Sequence, residues 1–139
     1  LLTRRDPKTY LFFTSTDNGR RAATDFLDRL KERSQDRDKE PSFRVFLRQL
    51  KAITAWGNQA PQNLGEINFP VLVANGDNDI MVPTVNSHDL ACRIPNAQLI
   101  IYEDAGHGGI FQNHAHFVAS ALSFLAALDC YTFEIGMNS

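Results

Sequence analysis

The stretch PVLVANGDNDIMVP, residues 70–83, decides the fold. Its first five residues, Pro70 to Ala74, form a short continuous apolar run. Strands that alternate apolar and polar residues lie half in solvent, whereas a continuous run marks a strand buried on both faces. The run ends at Asn75-Gly76, and a helix is predicted from about Thr84 to Arg93, with Val85, Leu90 and Ile94 as inward candidates. QLIIY, residues 98–102, then supplies a second strand of the same kind. Strand, helix and strand at this spacing make a βαβ unit, whose strands run parallel.

On the N-terminal side, Ala22, Ala23, Phe26, Leu27 and Leu30 recur at three- and four-residue steps, predicting an amphipathic helix from Asp17 to about Arg33 capped by Asp17 or Asn18. The polar stretch SQDRDKEP, residues 34–41, breaks that period and reads as a loop. Ser42 is placed to cap a second helix with the stripe Phe43, Phe46, Leu47, Leu50 and Ile53, and Gly57 after Trp56 is placed to end it. On the C-terminal side a final helix is predicted from about Gln112 to Leu128, with Phe117, Ala121, Phe124, Leu125 and Leu128 on one face. The tail, residues 129–139, has no clear period and receives no role. Strands apolar on both faces belong in the middle of a parallel sheet, yet two strands are all that the sequence supplies. The sheet is expected to be completed by another copy, by another polypeptide, or by the rest of a longer enzyme.

The residues able to carry chemistry follow the two strands directly. NGDNDIMVP (75–83) leaves the first and DAGHGG (104–109) leaves the second. Parallel α/β sheets bind ligands at the carboxyl ends of their strands, so both loops emerge on the functional edge. Neighbouring strands lie roughly 4.8 Å apart, which lets a carboxylate on one loop reach an imidazole on the next. A carboxylate accepting the Nδ1 proton of His107 would fix its tautomer and leave Nε2 to take a proton from a nucleophile. Glycines around His107 are expected to let its loop turn tightly.

From Phe69 to Leu125 the chain resembles the last strand-helix-strand-helix of the α/β-hydrolase superfamily. The resemblance rests on Gly76-x-x-Asp79 with Val82-Pro83 behind it, Ile94-Pro95-Asn96-Ala97 before the next strand, and Ala105-Gly106-His107-Gly108 after it. It implies an α/β fold with Asp79 and His107 as the catalytic acid and histidine of a triad. It also implies a helical cap-like segment over residues 1–64, the C-terminal part of the hydrolase core over 65–128, and the tail beyond. The sequence departs from the family in lacking a nucleophile elbow: none of Ser15, Ser34, Ser42, Ser87, Ser120, Ser123 and Ser139 has the glycine context of G-x-S-x-G. His107-Gly108-Gly109 lies after the wrong strand for an oxyanion motif.

Several residues have plainer readings. Asp77 is the rival acid and reads as a turn residue. His114 and His116, two apart on a helix, point to different faces, so no metal site is assigned; His88 reads as a surface residue. Met81, beside the acid, and Trp56, in the cap-like segment, are the substrate-binding candidates; Phe43 and Phe46 share the stripe near Trp56, and packing is the competing role for all of them. Cys92 and Cys130 are far apart and read as free thiols.

The formal net charge is −2 and acidic and basic residues alternate between Asp25 and Lys39, so neither nucleic acid nor membrane is expected as a partner. No apolar run approaches the roughly 20 residues that span a bilayer, and Leu1-Leu2 followed by Arg4 and Arg5 lacks the layout of a signal peptide. A soluble, cytoplasmic protein is the expectation, with a small-molecule substrate, no cofactor, and either a homo-oligomer or a missing N-terminal half. The leading functional reading is a hydrolase of ester or related acyl bonds, completed by a nucleophile-bearing part. The alternative is a non-catalytic relative serving as a binding or assembly module.

Overall fold

The computed structural model describes residues 6–37, 39 and 41–136, with side chains as far as Leu128. In chain order it contains α1 (Lys8–Leu11), α2 (Asp17–Glu32), α3 (Phe43–Gly57), a single 3-10 turn (Leu64–Glu66), β1 (Val71–Gly76), α4 (Thr84–Arg93), β2 (Ala97–Tyr102), α5 (Gly109–Gln112) and α6 (His114–Gly136). β1 and β2 pair in parallel, in register from Val71 opposite Ala97 to Gly76 opposite Tyr102. α4 makes the crossover and packs against both strands. The expected βαβ unit is therefore present, and the class is α/β.

Two helices, α2 and α3, begin where a hydroxyl side chain takes up a free amide. Ser42 Oγ accepts from the Val45 N–H, as the sequence suggests. α2 differs: its cap is Thr16, not Asp17 or Asn18, and Thr16 Oγ1 accepts from the Gly19 N–H at 3.0 Å. Asn18 is engaged elsewhere, on Asp104. The final helix is longer than its periodicity predicts: the backbone of α6 runs past Leu128 and ends at Gly136. Residues 137–139 and the side chain of Cys130 lie outside the described set; Cys92 is a free, exposed thiol.

Burial departs furthest from the expected pattern. The main cluster of buried apolar side chains is Phe13, Ala23 and Phe26, with Phe12, Ala22 and Leu27 against it. Phe111 of α5 closes this cluster on Phe26, at a ring separation of 5.1 Å. A second buried group, Ile94, Tyr102 and Ala105, sits at the sheet. β1 residues 71–75 are only half-buried, and the expected stripe of α3 is exposed along its length, with Phe43 at 72% and Ile53 at 64%. Val85, Leu30 and Leu125, all expected inward, are exposed too. The faces expected to be buried are thus not covered by the described residues. In all, the chain presents 11109 Å² to solvent, against about 7,200 Å² for a compact monomer of 15.6 kDa.

Surface of this kind drives association. The 139-residue chain purified by itself should sediment as an oligomer or aggregate. A monomer with a cooperative thermal transition would contradict that expectation.

Candidate active site

Gly76 ends β1, and the chain then folds back over the start of α4. Thr84 Oγ1 donates to the Gly76 carbonyl at 2.6 Å, and Asn75 Nδ2 donates to the Val82 carbonyl and to Ser87 Oγ, both at 3.1 Å. Inside this fold-back Asp79 is turned inward. Its Oδ1 accepts from the Met81 N–H at 2.8 Å and the Val82 N–H at 2.9 Å, the local turn chemistry that favours aspartate in such loops. With Oδ1 held, Oδ2 faces the neighbouring loop and lies 2.9 Å from His107 Nδ1.

The two loops are zipped together beyond the strands. The Asp77 N–H donates to the Tyr102 carbonyl and the Asn78 N–H to the Ala105 carbonyl, each at 2.9 Å. Asp77 Oδ1 returns the bond by accepting from the Ala105 N–H at 3.1 Å. Hydrogen bonding between the two segments thus continues two residues past the end of β1 and three past the end of β2, and it carries Asp79 to His107. Asp77, the rival acid, bridges the loops and makes no bond to His107.

The glycines serve close approach rather than turning. No described glycine has a positive φ. A Cβ on Gly76 would lie 2.1 Å from the Ala105 carbonyl oxygen, and one on Gly106 would lie 2.7 Å from the Phe12 oxygen. The left-handed position in the histidine loop belongs instead to Asp104, at φ 50°, a conformation that costs a non-glycine residue roughly 1–2 kcal/mol.

The Asp79 side chain is 1% exposed and the His107 ring 34%. Burial opposes ionisation of Asp79, but the Val82 N–H, His107 and the Met81 N–H outweigh it and hold the carboxyl below its ordinary value. Asp77 behaves alike: burial raises it, while the Ala105 N–H, the Asn78 amide and further backbone N–H groups lower it by more. Among the described residues no hydrogen bond engages His107 Nε2. The site therefore holds an ionised acid, a ring oriented through Nδ1, and an outward-facing nitrogen able to exchange a proton.

Sequence reasoning missed the segment from Phe12 to Asn18. The Phe12 carbonyl accepts from the Gly108 N–H at 2.7 Å, and its ring meets the His107 ring at a centroid distance of 5.4 Å. Thr14, Thr16 and Asn18 all bond Asp104. Such contacts span most of the chain and leave no local period. The usable signal was Asp104 itself, a residue type that tolerates left-handed backbone and is common in turns.

The two substrate-binding candidates are not brought together. Met81 donates its backbone N–H to Asp79 while its side chain is exposed. Trp56 lines a cavity of about 470 Å³ with Pro61, Leu64, Val82 and Leu90. A separate cleft of about 480 Å³ lies against the acid and histidine loops, bounded by Tyr10, Phe13, Thr14, Ile80, Asp104 and Gly106. His114 Nδ1 lies 3.2 Å from the Phe111 carbonyl oxygen, and His116 meets Tyr102 edge-on, so the two diverge. His88 is exposed. Among the described residues no group of three or more His, Cys, Asp or Glu side chains is arranged to hold a metal ion, and no helix is long and apolar enough to cross a membrane.

This fold and this loop pair are those of the α/β-hydrolase superfamily. Within it, the chain belongs to the family described as TAP-like protein, whose profile matches residues 50–127. The structure of an α/β-hydrolase fold protein from Chitinophaga pinensis superposes with a TM-score of 0.82 at 38% identity, covering 87% of this chain and 46% of that one. A poly(3-hydroxyalkanoate) depolymerase from Ectopseudomonas oleovorans is 52% identical over 44 residues, 32% of this chain and 15% of that protein. A protein of Pseudomonas savastanoi pv. phaseolicola, provisionally named carbamate hydrolase RutD, is 32% identical over 81 residues, 58% of this chain and 30% of that protein. The chain thus spans less than half the length of each.

Two outcomes are expected of this geometry. Gly76→Ala forces a methyl group into the Ala105 carbonyl and should destabilise the fold by about 1–3 kcal/mol, read as a shift in the denaturation midpoint; an unshifted midpoint would show that the loops do not pack as described. Asp77 and Asp79 both have folded pKa values below the unfolded value of about 3.9. Their contribution is therefore fully present above that value and lost as pH falls through the lowered folded values. The thermal midpoint should decline below about pH 4, and less so in Asp79→Asn; a wild-type midpoint flat from about pH 6 to about pH 2 would contradict this.

Proposed function

We propose that the chain supplies the acid, Asp79, and the histidine, His107, of a triad that hydrolyses an ester or related acyl bond, with the nucleophile contributed from outside these 139 residues. The observation that carries the reading is the 2.9 Å contact between a buried, ionised Asp79 and Nδ1 of a part-exposed His107. In the reaction, His107 Nε2 takes the proton of the nucleophile as it attacks the acyl carbon, then returns it to the leaving group. Water deacylates the enzyme by the same route, and Asp79 stabilises the imidazolium in both halves. Membership of the family supports hydrolytic chemistry. Poly(3-hydroxyalkanoate) is a polyester and a carbamate is an acyl compound, so the names of two relatives fall in the proposed class.

Residues 1–64 are read as a helical cap-like segment and 65–128 as part of the hydrolase core. Of the two substrate-binding candidates, Met81 adjoins the acid loop through its backbone N–H, and Trp56 lines a separate cavity.

The test is made in the protein that carries this chain with its nucleophile. Asp79→Asn should preserve the fold and lower kcat by about 10⁴-fold, the loss known when a triad acid is neutralised. Asp77→Asn, on a residue that bridges loops, should lower it far less. Equal losses would assign the acid wrongly, and a wild-type protein without acyl hydrolysis would favour a binding or assembly role.

A further inference from the structure

The Asp79 contact fixes the tautomer of His107 but not the loop on which the histidine rides. That loop leaves β2 at Tyr102, and its inner side is held by Asp77 and Asn78. Its outer side is held by residues nearly ninety positions earlier. Asp104 Oδ1 accepts from Thr14 Oγ1 at 2.8 Å, and Oδ2 accepts from Asn18 Nδ2 at 3.0 Å. Thr16 Oγ1 lies 2.8 Å from Oδ2 and 3.0 Å from Oδ1, between which its one proton is shared. The Asp104 carbonyl accepts from Gln112 Nε2 at 2.9 Å, and the Gly108 N–H donates to the Phe12 carbonyl at 2.7 Å. His107 is therefore bracketed, three residues before and one after, by bonds to the 12–18 segment. Residues 12–18 lie outside the stretch matched by the family profile.

We propose that Asp104 is a positioning residue for His107: with Thr14, Thr16 and Asn18 it locks the histidine loop to the 12–18 segment and so keeps the imidazole on Asp79. The inference rests on the reading of His107 as the proton-shuttling base. Three observations support it. The carboxylate is bound by three separate side chains, far more than a solvated turn aspartate needs. Those donors, Asn18, Thr14 and Thr16 in that order, hold its carboxyl below the ordinary value, so they favour its charged form. Finally, Asp104 keeps a left-handed backbone that only a few residue types accept, which fixes the direction in which its side chain can reach.

The backbone preference also supplies a clean set of variants. Asp104→Gly accepts the same φ without strain and removes the side chain; Asp104→Asn accepts it too and retains one acceptor oxygen. In the complete protein, solvent exchange of the His107 Nδ1 proton is measured by NMR on ¹⁵N-labelled imidazole, beside kcat and KM. The contacts of Asp104 with Thr16 and Asn18 are exposed, and loss of a solvent-screened charged contact corresponds to about two- to fivefold. Asp104→Gly should thus speed Nδ1 exchange and lower kcat by about that factor with KM little changed, and Asp104→Asn should recover much of both. Wild-type exchange in Asp104→Gly overturns the proposal. So does faster exchange that merely tracks a uniform loss of protection across the core amides, because that is a structural role only. Should Asp104→Gly not fold, Thr14→Val removes one donor and should shift exchange the same way by less; no shift there would overturn the lock. A wild-type protein that lacks hydrolase activity, yet whose Nδ1 exchange quickens in Asp104→Gly, would sink the triad reading and leave the lock standing.

Discussion

The candidate site depends on the continuation of one parallel hydrogen-bond ladder past the ends of its strands. β1 and β2 stop at Gly76 and Tyr102, but Asp77, Asn78 and Ala105 go on exchanging bonds across the gap. The continuation is possible because Gly76 has no Cβ to meet the Ala105 carbonyl. If the ladder ended with the strands, the two loops would splay, and Asp79 would have to find His107 at the expense of loop entropy. As built, the acid arrives already aimed, with one oxygen committed to Met81 and Val82 and the other to the imidazole.

The division of labour between the two aspartates follows from that ladder. Asp77 and Asp79 are two residues apart in the turn that follows β1, and they do different work because the chain bends between them. Asp77 stays at the seam and satisfies the Ala105 amide. Asp79 is drawn in by the fold-back that Asn75, Ser87 and Thr84 secure at the head of α4. Burial and ionisation are reconciled at Asp79 by hydrogen bonding, since three donors compensate the charge that desolvation disfavours.

The elements legible in the sequence were those set by local pattern. The two apolar runs gave both strands, the Thr84 helix emerged with the expected bounds, and the Ser42 cap and Gly57 stop fell where side-chain chemistry put them. Strand spacing allows a carboxylate on one loop to reach His107 on the next, but it does not choose between Asp77 and Asp79; that choice came from the resemblance to the hydrolase family. Burial was not legible, because periodicity reports which face seeks cover and not whether cover exists: the stripe from Phe43 to Ile53 is apolar and exposed. Nor was the 12–18 segment, whose partners lie at residues 104–108 and share no sequence pattern with it. Thr16 lost the capping assignment to Asp17 and Asn18 because the competing demand of Asp104 on Asn18 is invisible locally.

Thr16 joins events that are remote in the order of synthesis. The same hydroxyl caps α2 and lies against the Asp104 carboxylate, 88 residues downstream. In the order of synthesis, α2 and the residues of the Phe13–Phe26 contact come before residue 104. Thr16 Oγ1 is therefore a donor made before its acceptor, the Asp104 carboxylate, and closing so long a loop carries an entropic cost that grows only slowly with length. Among these residues the order of synthesis thus matches the order of dependence: the 12–18 segment is made first, and the histidine loop it holds is made later.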